Sequence, residues 1–81
     1  MTIKTITEAT ADLPDIEEVS AAVHEQWIAT KLAQGVDSRR AEDGEELMVP
    51  YEQLSERAKE LDRGTVRAVY AAIANCRAGG A

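Results

Sequence analysis

The order of apolar and polar positions divides the chain into two long amphipathic stretches with a charged stretch between them. Ile16, Val19, Val23 and Trp27 recur at intervals of three and four residues, which gathers them into one stripe of an α-helix, while Glu17, Glu18, Glu25 and Lys31 fall largely outside it. That stripe is expected to face the core. The pattern predicts a helix over about Pro14 to Gln34, with Asp12 placed to cap it and Pro14 in its first turn. Asp15, Glu17 and Glu18 suit the positive end of its dipole. Gly35 supplies the left-handed residue that ends helices, and Lys31 stands in the last turn, where the dipole favours a cation.

Val36 to Glu46 carries Asp37, Arg39, Arg40, Glu42, Asp43, Gly44, Glu45 and Glu46 without helical or strand periodicity, and reads as an exposed loop. Leu47 to Tyr51 is a short apolar return to the core in which Pro50 keeps Val49 extended. A single helical turn is expected at Tyr51 to Leu54. Ser55 is placed to cap a second long helix whose buried seam would be Ala58, Leu61, Thr65, Val69, Ala72 and Cys76, closed by Gly79 and Gly80. Gly64 interrupts this helix at a cost of ~1 kcal/mol relative to Ala and marks a bend or a close helix contact. Met1 to Ala11 alternates Thr with Ile and Lys in a strand-like manner, but one strand has nothing here to pair with. The expected architecture is therefore all-α, with two long antiparallel helices and a short helical turn, joined by a charged irregular loop. Residues 1–11 are expected as a flexible arm, 12–77 as the folded domain and 78–81 as a flexible tail.

Composition narrows the function classes. A chain of 81 residues buries only roughly 60% of the surface its unfolded form exposes, so its margin of stability is thin and self-association is a physical expectation. The formal charge of −6 argues against nucleic acid and anionic membrane as partners, since phosphate neutralisation needs a surplus of Lys and Arg. No apolar run approaches the ~20 residues of a membrane helix, and no signal-peptide pattern opens the chain. A cytoplasmic location is the default expectation. Cys76 is the one cysteine, which rules out an intramolecular disulfide.

Little in the chain points to catalysis. His24-Glu25 lacks the second His that a zinc-protease helix carries four residues on, since position 28 is Ile, so neither a metal nor a cofactor is expected. His24 reads instead as a structural residue, and Cys76 as a buried inert thiol. Trp27 and Tyr51 are the aromatics most able to stack on a planar ligand, and both also sit where the core is expected. Lys59, Arg63 and Arg67 lie four apart on one ridge of the second helix. They either pair with Glu52, Glu56, Glu60 or the acidic loop, or join Arg39 and Arg40 in gathering phosphate or carboxylate groups.

Val23-His24-Glu25-Gln26-Trp27, Gly35, the run Val49-Pro50-Tyr51-Glu52-Gln53-Leu54-Ser55-Glu56, Ala58-Lys59 and Asp62-Arg63 resemble the ryanodine receptor (RyR) repeat over roughly Val19 to Ile73. Within that family an H-E-x-W helix is followed by a G-W turn, a charged loop, an H-P-x-L-V-P-Y-x-x-L segment and a helix with K-x-x-D-R. Here Val36 replaces the aromatic after the glycine, and Glu45-Glu46 replaces the His-Pro pair. The resemblance implies a compact helical domain of the kind found in tandem in calcium-release channels and as a stand-alone or fused module in bacteria and their viruses. It also implies readers of nucleotide-type ligands.

The function expected from the whole reading is a non-catalytic RyR-like binding module for a small anionic, nucleotide-type ligand or a protein partner. Arg39, Arg40, Tyr51, Lys59, Arg63, Arg67 and Trp27 are its candidate ligand-binding residues. The alternative is an interaction domain that forms a homodimer or docks on another protein without a small ligand.

Overall fold

Asp15, one residue before Ile16, starts the first helix. Its carboxylate accepts from the Glu17 amide at 3.0 Å, satisfying one of the donors that a helix start leaves open. The computed structural model describes residues 10–79, in which α1 spans Ile16–Ala33, a 3-10 turn spans Tyr51–Gln53 and α2 spans Glu56–Arg77. The expected cap, Asp12, lies outside α1 and pairs instead with Arg77 at 2.6 Å. Pro14 likewise precedes the cap, because the carboxylate nearest the open amides belongs to Asp15.

The end of α1 is built as the Gly35 signal implies. Gly35 adopts φ +78°, its amide donates to the Leu32 carbonyl, and the Val36 amide donates to the Lys31 carbonyl at 2.9 Å. This double closure is the Schellman arrangement. In α2, Ser55 Oγ accepts from the Ala58 amide at 3.1 Å, and Gly79 ends the helix with φ +76°.

The segment between the helices is more ordered than its lack of periodicity suggests. Arg40 and Glu46 form an isolated antiparallel bridge, and among the described residues there is no strand. The Glu46 carboxylate organises the turn from inside: it accepts from the Ser38 hydroxyl, from the Arg39 amide at 2.8 Å and from the Met48 amide at 3.1 Å. Those donors, Ser38 first, hold its carboxyl down at about 2. Glu45 then ties the loop to α2, accepting from the Ser55 amide at 2.9 Å and from its hydroxyl at 2.6 Å.

The domain fold is all-α, and the helices run antiparallel: the Tyr70 hydroxyl donates to the Pro14 carbonyl at 2.6 Å, whereas His24, further along α1, faces Asp62, earlier in α2. Tyr51, Leu54 and Ala58 form one buried cluster, with Ala21, Leu47 and Val49 packed on it. Val66, Tyr70 and Ala74 are buried further along α2.

Two sequence expectations are corrected here. The fully covered residues of α1 are Ser20, at 0% exposure, and His24, at 3%. Ile16, Val19 and Trp27 are half-buried, and Val23 is exposed. The α1 face that meets α2 is thus lined by small and polar side chains, and the apolar stripe flanks it. In α2 the expected seam is rotated. Ala58 is buried, but Leu61 is 66% exposed, and Thr65, Val69, Ala72 and Cys76 are exposed with it. Apolar residues occupy two adjacent faces of α2, and polar anchors choose between them. Tyr70 bonded to Pro14 and Arg63 bonded to Glu17 turn the Val66–Tyr70–Ala74 face inward. Cys76 is consequently an exposed free thiol. Met1 to Ala9, most of the expected arm, lie outside the described residues; Thr10 is buried, and its carbonyl accepts from the Leu13 amide.

Candidate functional site

Two of the candidate ligand-binding residues, Arg63 and Tyr51, converge on one carboxylate. Glu17, in the first turn of α1, accepts from Arg63 Nε at 2.7 Å and Nη2 at 2.9 Å, and from the Tyr51 hydroxyl at 2.9 Å. Arg63 and Tyr51, in that order, hold the Glu17 carboxyl down at about 2. Lys59 Nζ lies 5.5 Å from the centre of the Tyr51 ring, within cation–π range, and 3.6 Å from Glu56. Burial, with the bond to Glu17 second, pushes the Tyr51 hydroxyl upward.

Arg63 also reaches Glu56 at 3.0 Å and Glu60 at 3.6 Å, and Arg67 pairs with Glu60. The ridge of Lys59, Arg63 and Arg67 is therefore matched by Glu17, Glu56 and Glu60, three cations against three carboxylates. Its guanidinium donors are directed at protein oxygens. Arg39 and Arg40 take backbone carbonyls within their own loop, those of Ser38 at 3.3 Å and Gly44 at 2.9 Å. No contact joins them to the ridge among the described residues.

Trp27 belongs to a different place. It stacks on His24 with ring centres 5.5 Å apart and planes inclined by 28°, and both rings line a cleft of about 280 Å³ between α1, α2 and the Leu47–Leu54 segment. Val23, Leu47, Leu54, Ala58 and Leu61 supply its apolar walls, and Asp62 and Thr65 its remaining polar side chains. An apolar recess with a few polar groups at fixed positions is the usual form of a binding site.

His24 fixes the cleft's geometry. Its Nε2 lies 2.8 Å from the Val49 carbonyl oxygen, which can only accept, so Nε2 carries a hydrogen. Its Nδ1 lies 3.3 Å from Asp62 Oδ2. An ionised carboxylate also only accepts, so the contact is favourable when one further proton sits between the two groups, on the ring or on Asp62. Burial pushes the Asp62 carboxyl upward, against the pull of His24. The pair joins α1, α2 and the Val49 segment at one point. His24 is expected from the sequence to be structural, whereas Asp62, Val23, Leu54 and Leu61, which line the cleft beside it, are not among the residues the sequence nominates for binding. In the sequence Asp62 stands out only through the Asp62-Arg63 pair of the family resemblance, and the spacing of Leu61 predicts a core position.

Among the described residues no group of His, Cys, Asp and Glu is arranged to hold a metal ion, and no helix is long and apolar enough to cross a membrane. No family model matches the chain, and neither the curated proteins nor the solved structures provide a match.

Proposed function

We propose that this chain is a non-catalytic binding module that engages a protein partner by accepting an apolar side chain in the cleft beside His24 and Trp27. The observation that carries this reading is the exposure of Leu61 at the mouth of a recess whose other walls are Val23, Trp27 and Leu54. Exposed aliphatic surface continuous with a concave apolar wall is what a docking side chain covers. A nucleotide-type ligand on the basic ridge would instead have to displace Glu17, Glu56 and Glu60 from Arg63 and Arg67, giving up ion pairs already made.

Likeness to the RyR repeat forms part of the proposal. The residues that carry it, His24, Trp27, Val49, Tyr51, Leu54, Asp62 and Arg63, are those that pack or bond around the cleft and Glu17. Read this way the motif is a packing signature that shapes a recess. A second reading, self-association, draws on the exposed row Leu61, Thr65, Val69, Ala72 and Cys76 along α2, and sedimentation at increasing concentration tests it.

The main reading is tested by amide and methyl NMR shifts during titration with N-acetyl-leucinamide and, separately, with ATP. The expected result is movement of the Trp27 indole and the Val23 and Leu61 methyls with the first ligand. Movement confined to Lys59, Arg63 and Arg67 with ATP would replace this reading with the anionic-ligand one.

A further inference from the structure

The cleft does not end at Leu61. A second recess of about 320 Å³ shares Leu47, Ala58 and Leu61 with it and continues to Ala41, Glu42, Asp43 and Glu45 in the loop, with Arg57 on its α2 side. The two form one groove along α2. From Thr65 at one end to Arg57 at the other the helix rises about 12 Å.

The groove is polarised. At the Trp27 end the walls are apolar, and the one carboxylate there, Asp62, is turned to His24. At the loop end three carboxylates face one guanidinium. Asp43 Oδ1 accepts from the Glu45 amide at 2.9 Å, and both Glu45 oxygens are bound to Ser55, so these two are fixed in place. Glu42 is exposed. Arg57 approaches Asp43 only to 4.0 Å, and its side chain remains 78% exposed, so it compensates weakly.

We infer, building on the protein-binding reading above, that the groove takes a short segment of a partner protein bearing a bulky apolar anchor and, one to two helical turns away, a cluster of Lys or Arg residues. The anchor enters between Trp27 and Leu61. The basic cluster lies over Glu42, Asp43 and Glu45. Apolar contact supplies most of the holding energy, and the charges set the direction in which the segment lies.

Trp27 is the one tryptophan in the chain and lines the groove, so its emission reports occupancy directly. The probe is an alanine-based synthetic peptide with two leucines near one end and three lysines one to two turns away, and its twin carries glutamates in place of the lysines. The lysine peptide is expected to shift Trp27 emission saturably and to bind about tenfold or more tightly than its twin, an advantage that shrinks as salt is raised. Joint substitution of Glu42→Lys and Asp43→Lys should reverse the preference. Leu61→Asp should abolish binding of both peptides, and because it adds negative charge, the loss of the lysine peptide could not be electrostatic. Leu61 is exposed, so the fold tolerates that change. Equal binding of the two peptides, lost in Leu61→Asp, would overturn the charge rule and leave the cleft reading standing. Lysine-peptide binding that survives Leu61→Asp would overturn the inference as adhesion to an acidic surface. No response of Trp27 to either peptide would overturn both readings.

Discussion

Arg63 and Glu17 are joined by two parallel bonds, Nε to Oε2 at 2.7 Å and Nη2 to Oε1 at 2.9 Å, a bidentate pair that fastens the first turn of α1 to α2. The fork geometry matches a planar guanidinium to a planar carboxylate, which is the arrangement Arg makes best. Because the pair also collects the Tyr51 hydroxyl, it links both helices and the 3-10 turn.

The pair sets a pH dependence. Glu17 falls from an ordinary 4.5 to about 2 in the folded chain, by bonding to Arg63 and then to Tyr51. A depressed carboxyl contributes stability that is complete above its unfolded value and lost as pH falls through the folded one. Stability should therefore decline between pH 4.5 and about 2. Glu46, held down at about 2 by Ser38 and two amides, contributes in the same window. We expect Glu17→Gln to lower the urea midpoint at pH 7 and to reduce the fall between pH 5 and pH 3, with Glu17→Gln/Glu46→Gln flattening it further. An unchanged slope in the double variant would show that other carboxylates govern acid unfolding.

Asp62 works in the opposite direction. Burial raises the Asp62 carboxyl, so the folded state holds this proton more firmly than the unfolded chain does. Its contribution is greatest at pH values below the ordinary 3.8 and declines as pH rises through the raised value. Asp62→Asn can donate to Nδ1 without any ionisation. We expect it to retain the fold at pH 7 and to remove this component of the pH dependence. His24→Leu, in contrast, leaves the Val49 carbonyl unpaired and Asp62 without its partner, at a cost on the order of 3 kcal/mol. Denaturant midpoints across pH 4 to 8 for the two variants check both statements.

Helix identity and ends were legible where a local rule decides them. Ser55 caps α2 because its hydroxyl lies three residues before the Ala58 amide, and Gly35 closes α1 because it alone adopts the left-handed conformation there without strain. Helix rotation was not legible in the same way. Leu61, Thr65, Val69, Ala72 and Cys76 make as regular a stripe as Ala58, Val66, Tyr70 and Ala74, and periodicity cannot rank two adjacent apolar faces. The choice depends on contacts 56 and 46 residues apart, Tyr70 with Pro14 and Arg63 with Glu17. The cleft was hidden for the same reason, since Leu61 lines it only after α2 has turned that face outward.

Ser20 carries a testable local penalty. Its side chain is completely covered, and its Oγ has no hydrogen-bond partner among the described residues. A small residue here admits α2 closely, but the hydroxyl adds nothing to that role. An unsatisfied buried hydroxyl costs about 1–3 kcal/mol, and Ala is the better helix former. Ser20→Ala should therefore stabilise the domain by about 1 kcal/mol, raising Tm by several degrees. Ser20→Leu should destabilise it by overpacking the same contact. Calorimetry of the two variants separates size from polarity at this position.

Gly64 stands inside the 22-residue α2, where glycine costs ~1 kcal/mol relative to Ala. From the sequence it is expected at a bend or a close helix contact. A Cβ built there meets only Arg67 Nη2, at 3.9 Å, which is ordinary contact with the end of a movable side chain. Nothing among the described residues requires the glycine. Gly64→Ala is accordingly expected to add about 1 kcal/mol of stability, chiefly by restricting the unfolded chain, and to leave peptide binding at Trp27 unchanged because position 64 does not line the groove. Thermal unfolding at two protein concentrations completes the test. A gain independent of concentration assigns the glycine no role in the folded monomer. A loss that grows with concentration would place a second chain's backbone against Gly64, and would favour self-association along the exposed row of α2 over docking in the cleft.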